Sequence, residues 1–187
     1  MIRIFITETG NGYKEQHEAA YKLLFDGIKQ LWGISVSEED ILKGGRGKPY
    51  FREGIPVSFG ISHCKGYAAC AVCAAGYGDI GFDMECIREY RERTAEKVFS
   101  PEEHEHILES DNTDLSYTVM WTLKESYVKY TGTGLSGHFS DVHFRLSENG
   151  ICSDSDLHFF SLYKDMPIIT LCSEKPLGYE NVEILFV

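Results

Sequence analysis

One stretch near the middle of the chain, Met120 to Leu135, constrains the fold more than any other. It reads MWTLKESYVKYTGTGL. Its first ten residues place apolar side chains at helical spacing, and Gly132 and Gly134 follow. Glycine directly after a helix supplies the left-handed backbone conformation that ends it. The stretch therefore predicts a long helix that stops at about Thr131.

The same helix carries a polar stripe formed by Lys124, Glu125 and Lys129, at spacings of four and five residues. A Glu125–Lys129 pair one turn apart is also typical of a solvent-exposed helix face, where it contributes about 0.3–0.5 kcal/mol. From the helix alone, an ordinary exposed face and a binding face both remain open.

The composition limits what such a chain can do. With 187 residues, 43% of them hydrophobic, we expect one compact unit over residues 1–187. The net charge of −11 argues against a nucleic-acid-binding protein that neutralises phosphates. The sequence has no run of about 18 apolar residues, and its start lacks the pattern of a secretory signal. We therefore expect a cytoplasmic protein that does not enter a membrane.

The order of apolar patterns predicts an α+β fold. Strands are expected at 2–7, 56–63, 67–75, 79–85, 141–146, 156–163, 167–172 and 181–187, and helices at 14–32, at 90–99, from Ser100 onward and in the central stretch. Cys70 and Cys73 form a C-x-x-C pair within one of these strands. Residues three apart on a strand face opposite sides, so we do not expect a shared metal or redox site there.

Asp83 and Glu85 end the strand predicted at 79–85, two residues apart. Both carboxylates therefore project from one face, about 6.5–7 Å apart along the strand. Like charges so placed disfavour each other unless a cation or a proton intervenes. An exposed strand end and a cation site are both compatible with this pattern.

The segment from Gly44 to Tyr50, GGRGKPY, combines three glycines with Arg46 and Lys48. Such a cationic loop is compatible with a phosphate site and equally with an ordinary basic turn. It lacks the spacing of a Walker A motif.

Four motifs follow one another along the chain: Gly47–Pro49 (GKP), Ile61–His63 (ISH), Gly81–Glu85 (GFDME) and Trp121–Ser126 (WTLKES), the last followed by Lys129 and by Gly134 and Leu135. In this order they resemble the 4′-phosphopantetheinyl transferase superfamily. The resemblance is to its larger single-chain branch, the surfactin-synthetase-activating type, which primes carrier domains of peptide and polyketide synthetases. The motifs cover residues 47–135, and the flanks match in pattern only.

This resemblance implies a fold. The family has an α+β fold of two structurally similar α/β halves in one chain, related by pseudo-twofold symmetry. The halves would be about residues 1–80 and 81–187, with the active site in the cleft between them, and the protein would be a monomer.

The resemblance also implies an activity. The chain would be a holo-[carrier protein] synthase: with Mg²⁺, it would transfer 4′-phosphopantetheine from coenzyme A to a serine of an acyl or peptidyl carrier protein and release adenosine 3′,5′-bisphosphate. Two alternatives remain open, namely a non-catalytic module that binds coenzyme A or a carrier domain, and a metal-dependent phosphohydrolase.

Particular residues match the family's functional positions. Asp83, Glu85 and Glu125 resemble its metal ligands, and Glu125 is also the candidate general base. Lys124 and Lys129 resemble the family's catalytic, positively charged residues, which hold the pyrophosphate. The remaining coenzyme A-binding candidates are Arg46, Lys48, Pro49, Ser62 and His63.

One position departs from the family pattern. The family places an arginine on the first helix for the 3′-phosphate of coenzyme A, whereas Glu18 or its neighbours stand there in this chain. The positively charged residues nearest to this position are Lys22 and Arg46. The sequence therefore leaves open which residue contacts the 3′-phosphate.

Overall fold

The structure, a computed structural model, describes residues 1–134, 139–147, 150–163 and 166–187. Within these ranges the helices are α1 (Tyr13–Trp32), α2 (Glu92–Val98), α3 (Pro101–Glu109) and α4 (Thr113–Thr131). The strands are β1 (Ile2–Glu8), β2 (Ile41–Lys43), β3 (Pro49–Phe51), β4 (Val57–Cys64), β5 (Tyr67–Ala74), β6 (Ile80–Glu85), β7 (Phe144–Ser147), β8 (Gly150–Ser153), β9 (His158–Leu162), β10 (Ile168–Ser173) and β11 (Val182–Phe186). The predicted mixed α+β class is confirmed.

The strands form two main sheets. The first has the order β11-β1-β5-β4, with β11 parallel to β1 and the other pairs antiparallel. The second has the order β6-β10-β9 and is antiparallel throughout. Because β11 belongs to the first sheet, the predicted division into residues 1–80 and 81–187 does not coincide with the division between the sheets.

The inner faces of the two sheets pack against each other and form the main core. Ile2, Ile4 and Ile6 of β1 meet Phe82 and Met84 of β6 in this cluster. The outer face of the first sheet carries α1, whose Leu24 and Ile28 pack on Phe5 and Val72. Cys70 lies on this outer side and Cys73 on the inner side, so the prediction that they face opposite ways is confirmed.

The outer face of the second sheet carries α4, which approaches β6 unusually closely at Gly81. A Cβ atom at Gly81 would lie 2.9 Å from the backbone nitrogen of Tyr130 and closer still to the carbonyl oxygen of Ser126. Only a residue without a side chain therefore allows this approach. It sets α4 directly over the face of β6 that carries Asp83 and Glu85.

Side chains, rather than a backbone ladder, join β4 to β6. Each strand pairs with its own sheet, β4 with β5 and β6 with β10. The Ser62 hydroxyl of β4 accepts a hydrogen bond from the backbone N–H of Met84 at 3.2 Å. A Cβ at Gly60 would lie only 2.7 Å from the Cβ of Phe82. The two sheets therefore meet edge to edge along β4 and β6.

The helix ends follow the sequence signals. Gly132, at φ = 67° in the left-handed region, donates its N–H to the carbonyl of Val128, as predicted for the end of α4. Ser100 and Glu103 form a capping box at the start of α3. Ser37 also caps a turn, but this is a short 3₁₀ turn that leads into β2.

The C-terminal third differs from the prediction in detail. The strand predicted at 141–146 begins only at Phe144, and it pairs with an unpredicted strand, β8, in a two-stranded hairpin. Leu135 of the family motif lies outside the described residues. No described helix combines the length and the apolar character needed to cross a membrane.

The close approach at Gly81 gives a stability prediction. Gly81→Ala should lower the free energy of unfolding by at least about 2 kcal/mol, because the added methyl group meets helix backbone that cannot move aside alone. Urea unfolding measures this. Gly76→Ala is the matched control, since a Cβ there meets nothing within 4 Å. Equal stability of the two variants would contradict the packing described.

Candidate functional site

Three carboxylates lie around the line where β4, β6 and α4 meet. Asp83 and Glu85 project from β6 and Glu125 from α4, and all three line one cavity of about 400 Å³. We call it the helix-side cavity, because Tyr13 and His17 of α1 form its far wall. The structure thus brings together the three residues predicted as metal ligands.

Lys129 joins α4 to both strands at this point. Its ammonium Nζ lies 2.7 Å from Oδ1 of Asp83 and 3.0 Å from Oγ of Ser62. The Ser62 hydroxyl in turn donates to Oδ1 of Asp83 at 2.9 Å. The sequence suggested that Lys129 pairs with Glu125 along the helix. In the structure its ion-pair partner is instead Asp83 on the neighbouring strand.

Glu125 is the site carboxylate whose negative charge has the fewest compensating partners. Its residue surface is only 9% exposed, and it accepts no hydrogen bond from any residue in the described ranges. Burial raises its pKa to about 7, and the nearby charge of Asp83 adds to this effect. Lys129 and Arg88 oppose the shift only partly.

Glu85 is half-buried and has two partners. It accepts from the backbone N–H of Cys86 at 3.2 Å and from the guanidinium of Arg88 at 3.4 Å. Burial raises the pKa of Glu85, Arg88 lowers it, and Asp83 raises it further. Arg88 also stacks over the indole of Trp121, with 4.6 Å from its Cζ to the ring centroid.

His63 ends the polar side of β4 and faces α1. Its ring lies edge-on to Tyr13, with 5.1 Å between centroids, and 6.5 Å from the ring of His17. Neither imidazole makes a hydrogen bond with a described residue. Burial lowers the pKa of His63, and the positive charge of Lys129 lowers it further.

The predicted loop residues line a second cavity of about 310 Å³, together with Phe59, Val128 and Gly132. We call it the loop-side cavity. Lys48 donates to the carbonyl of Tyr130 at 2.6 Å and pairs with Asp79 at 3.2 Å, and Arg46 donates to the carbonyl of Thr133 at 3.4 Å. Pro49 also lines this cavity.

The two cavities share three lining residues: Ile61, Glu125 and Lys129. They therefore meet where the ammonium of Lys129 lies. A larger groove of about 860 Å³ runs between α3 and the β7–β8 hairpin, and none of the predicted site residues lines it.

Lys124 lies apart from this site. Its side chain is fully buried, its Nζ is 2.8 Å from a carboxylate oxygen of Glu103, and it donates to the carbonyls of Phe139 and Val142. The expectation that Lys124 shares one polar stripe with Glu125 and Lys129 is wrong. Adjacent residues on a helix point about 100° apart, and here this difference turns Lys124 toward α3 and β7.

Sequence reasoning missed His17, Tyr13 and Arg88 as neighbours of the site. The sequence did contain a periodic signal for Tyr13 and His17. Tyr13, His17 and Tyr21 recur at spacings of four, which places them on one face of α1. Arg88 follows Glu85 by three residues outside any regular element, and no periodic pattern indicates it.

The donor set suits a hard divalent cation. Carboxylate oxygens are the ligands that Mg²⁺ prefers, and a cation would offset the burial and the mutual repulsion that raise the pKa of Glu85 and Glu125. In the described part of the chain, no three His, Cys, Asp or Glu side chains are already arranged to coordinate a metal ion. Asp83 is instead neutralised by Lys129. The residues fit the ion by their chemistry.

Comparisons with known proteins agree with the motifs. A family model described as the 4′-phosphopantetheinyl transferase superfamily matches residues 79–168. This segment runs from the start of β6 through α4 to the start of β10. It contains the three carboxylates of the site and Lys129.

Three relatives extend the match. The chain is 28% identical over 168 residues to 4′-phosphopantetheinyl transferase psf-1 of Bacillus pumilus, covering 84% of this chain and 70% of the relative. It is 29% identical over 169 residues to the L-aminoadipate-semialdehyde dehydrogenase-phosphopantetheinyl transferase of Saccharomyces cerevisiae, covering 81% and 62%. It is 32% identical over 107 residues to 4′-phosphopantetheinyl transferase Sfp of Bacillus subtilis, covering 56% and 46%.

The chain thus spans less than two thirds of the length of the second and third of these relatives. The comparisons confirm the predicted resemblance to the single-chain branch of the superfamily. They also confirm the predicted enzyme class, a phosphopantetheinyl transferase.

The raised pKa of Glu125 gives a prediction of pH dependence. The folded state holds this proton more tightly than the unfolded state, in which the pKa is near 4.5. The contribution of Glu125 to the stability of the metal-free protein therefore falls as the pH rises from about 4.5 to 7. Glu125→Gln is neutral throughout. The free energy of unfolding of this variant minus that of the wild type should therefore increase by about 2–3 kcal/mol from pH 5 to pH 8.

Urea unfolding with a chelator present measures this difference. Glu109→Gln, at an exposed glutamate on α3, is the matched control and should differ from the wild type by a constant amount across the range. A constant difference for Glu125→Gln as well would contradict the raised pKa.

Proposed function

We propose that this chain, whose relatives are phosphopantetheinyl transferases, is a holo-[carrier protein] synthase. It would transfer 4′-phosphopantetheine from coenzyme A to a serine of an acyl or peptidyl carrier protein and release adenosine 3′,5′-bisphosphate. The observation that carries the proposal is the convergence of Asp83, Glu85 and Glu125 with Lys129 where two cavities meet.

Asp83, Glu85 and Glu125 would hold Mg²⁺ in this reaction. When bound, the ion neutralises charge on the phosphate oxygens of the substrate. The carboxyl group of Glu125, which has no hydrogen-bond partner among the described residues and whose charge Lys129 and Arg88 offset only partly, gives the strongest support for a cation at this site. The phosphates of coenzyme A would then enter a site with both positive and negative groups already fixed in place.

Lys129 would stabilise the charge that develops on the leaving group. Its ammonium is held by Asp83 and Ser62, from two different strands, so its position is fixed before substrate binds. Phosphoryl transfer depends mostly on positioning and charge stabilisation. In such sites one preorganised contact is typically worth about 10²–10³ in kcat.

Glu125 would also take the proton from the carrier serine as its oxygen attacks the β-phosphorus. In that step the new bond is P–O(Ser), and the bond between the β-phosphorus and the bridging oxygen breaks. A carboxylate within hydrogen-bond reach of the serine hydroxyl would accept its proton as the new bond forms. Lys124, bound to Glu103, would support α4 from the other side and would not touch the substrate.

The nucleotide of coenzyme A would occupy the two cavities on either side of Lys129. Lys48, Arg46 and Pro49 border the loop-side cavity, and Ser62 and His63 border the helix-side cavity. We further propose that His17 contributes where the family has its arginine. Its imidazole lies 6.5 Å from that of His63 beside the helix-side cavity. Neither ring makes a hydrogen bond with a described residue, so both would offer nitrogen atoms to the 3′-phosphate.

The wider expectations belong to the same proposal. The site would lie in the cleft between two structurally similar halves, and the protein would act as a cytoplasmic monomer. The two main sheets, each covered by one long helix, support the two-half arrangement.

A single assay tests the function. Purified protein, Mg²⁺, coenzyme A and an apo carrier protein are incubated, and the carrier is weighed by mass spectrometry. The proposal predicts a gain of one phosphopantetheine that disappears with a chelator. Asp83→Asn should lower the rate at least about 100-fold, whereas Asp26→Asn, at an exposed position on α1, should not.

The same assay separates the alternatives. Binding of coenzyme A without any gain in carrier mass would indicate a non-catalytic module. Cleavage of coenzyme A without a gain would indicate a phosphohydrolase. Full activity of Asp83→Asn would contradict the proposed metal site.

The role of His17 is tested by comparing coenzyme A with its 3′-dephospho form. His17→Gln should raise KM for coenzyme A about tenfold, the effect of losing roughly 1.4 kcal/mol of binding, and leave KM for the dephospho form unchanged. His104→Gln, on α3 away from the site, is the control. An equal effect of His17→Gln on both substrates would contradict a contact with the 3′-phosphate.

A further inference from the structure

Two thiols that the proposed reaction does not use lie in contact beside the site. The Sγ atoms of Cys64 and Cys86 are 3.2 Å apart, and Cys86 also lies 3.4 Å from the carbonyl oxygen of Lys65. Cys64 is the last residue of β4, and Cys86 directly follows β6. Both cysteines are free thiols.

Their position couples them to the site. Cys64 directly follows His63, and Cys86 directly follows Glu85 and donates its backbone N–H to that carboxylate. The strands β4 and β6 share no backbone ladder. A covalent bond between these sulfurs would therefore link the two sheets at the end of the cleft.

The cysteines differ in how far they are exposed to solvent. Cys70, Cys73 and Cys172 are buried, and Cys152 is exposed on the β7–β8 hairpin. Cys86 is partly exposed, whereas its neighbour Cys64 is buried. A reagent in solution would thus reach Cys86 first, and Cys64 stands next to it to complete the reaction.

We propose that Cys64 and Cys86 form a thiol pair that small-molecule disulfides oxidise, and that the resulting intramolecular disulfide slows the transferase. In the first step the Cys86 thiolate attacks a disulfide RSSR, forming Cys86–S–SR and releasing RS⁻. In the second step the sulfur of Cys64 attacks the sulfur of Cys86 while the Cys64 thiol proton passes to the leaving sulfur, forming the Cys64–Cys86 disulfide and releasing RSH. The two thiol protons end on the released RSH molecules, so the protein is oxidised by two electrons and RSSR is reduced.

The bond would disturb the site because its length is about 2.05 Å. The sulfurs must therefore move about 1.1 Å closer than their present 3.2 Å separation. The shift falls on residues bonded directly to His63 and Glu85. Misplacement of catalytic groups by about 1 Å typically costs on the order of 10²-fold in rate.

The experiment uses the full chain carrying Cys152→Ser, which removes the exposed thiol. The protein is treated with glutathione disulfide, and intact mass and non-reducing peptide maps are recorded. We expect loss of two hydrogen atoms and a linked peptide pair containing Cys64 and Cys86. Persistent glutathione on Cys86 with no linkage would overturn the thiol-pair proposal, whether or not the chain is active.

The activity measurement rests on the proposed function. Carrier modification should fall at least about tenfold on oxidation and return with dithiothreitol. The additional variant Cys86→Ser should keep its activity through the same treatment. A linked protein with unchanged transfer rate would overturn the regulatory role, whereas a reduced protein with no transfer at all would contradict the proposed function instead.

Discussion

The contact among Lys129, Asp83 and Ser62 holds together the parts on which the site depends. It connects α4, β6 and β4 through distances of 2.7, 2.9 and 3.0 Å. Asp83 is buried, so losing the lysine would leave its charge with only the Ser62 hydroxyl as a partner and would destabilise the fold. The glycine at position 81 lets α4 come close enough for this contact.

The same junction concentrates negative charge without fully compensating it. Lys129 neutralises Asp83 and Arg88 partly neutralises Glu85, while the Glu125 carboxyl group has no hydrogen-bond partner among the described residues. Folding therefore places three carboxylates together at a cost in stability. A divalent cation would offset the repulsion among these carboxylates, and this supports the proposed cation site.

The sequence predicted the local elements of this site well, because each has a periodic or terminal signal. The two-residue spacing of Asp83 and Glu85 placed both on one face of β6, and the glycine after Thr131 marked the end of α4. Long-range pairings carry no such signal. The partner of Lys129, the burial of Lys124 against Glu103, and the return of β11 to the first sheet all depend on contacts between distant segments. His17 lay within a visible aromatic stripe, but only the fold shows that this stripe faces His63.

In the proposed function, the junction of β4, β6 and α4 binds a divalent cation together with the nucleotide. The most direct test is anomalous diffraction from crystals grown with Mn²⁺ and adenosine 3′,5′-bisphosphate. We expect one anomalous peak about 2.0–2.3 Å from carboxylate oxygens of Asp83 and Glu125, with the nucleotide phosphate beside Lys129. A fully bound nucleotide with no peak at these carboxylates, or with the ion held elsewhere, would contradict it.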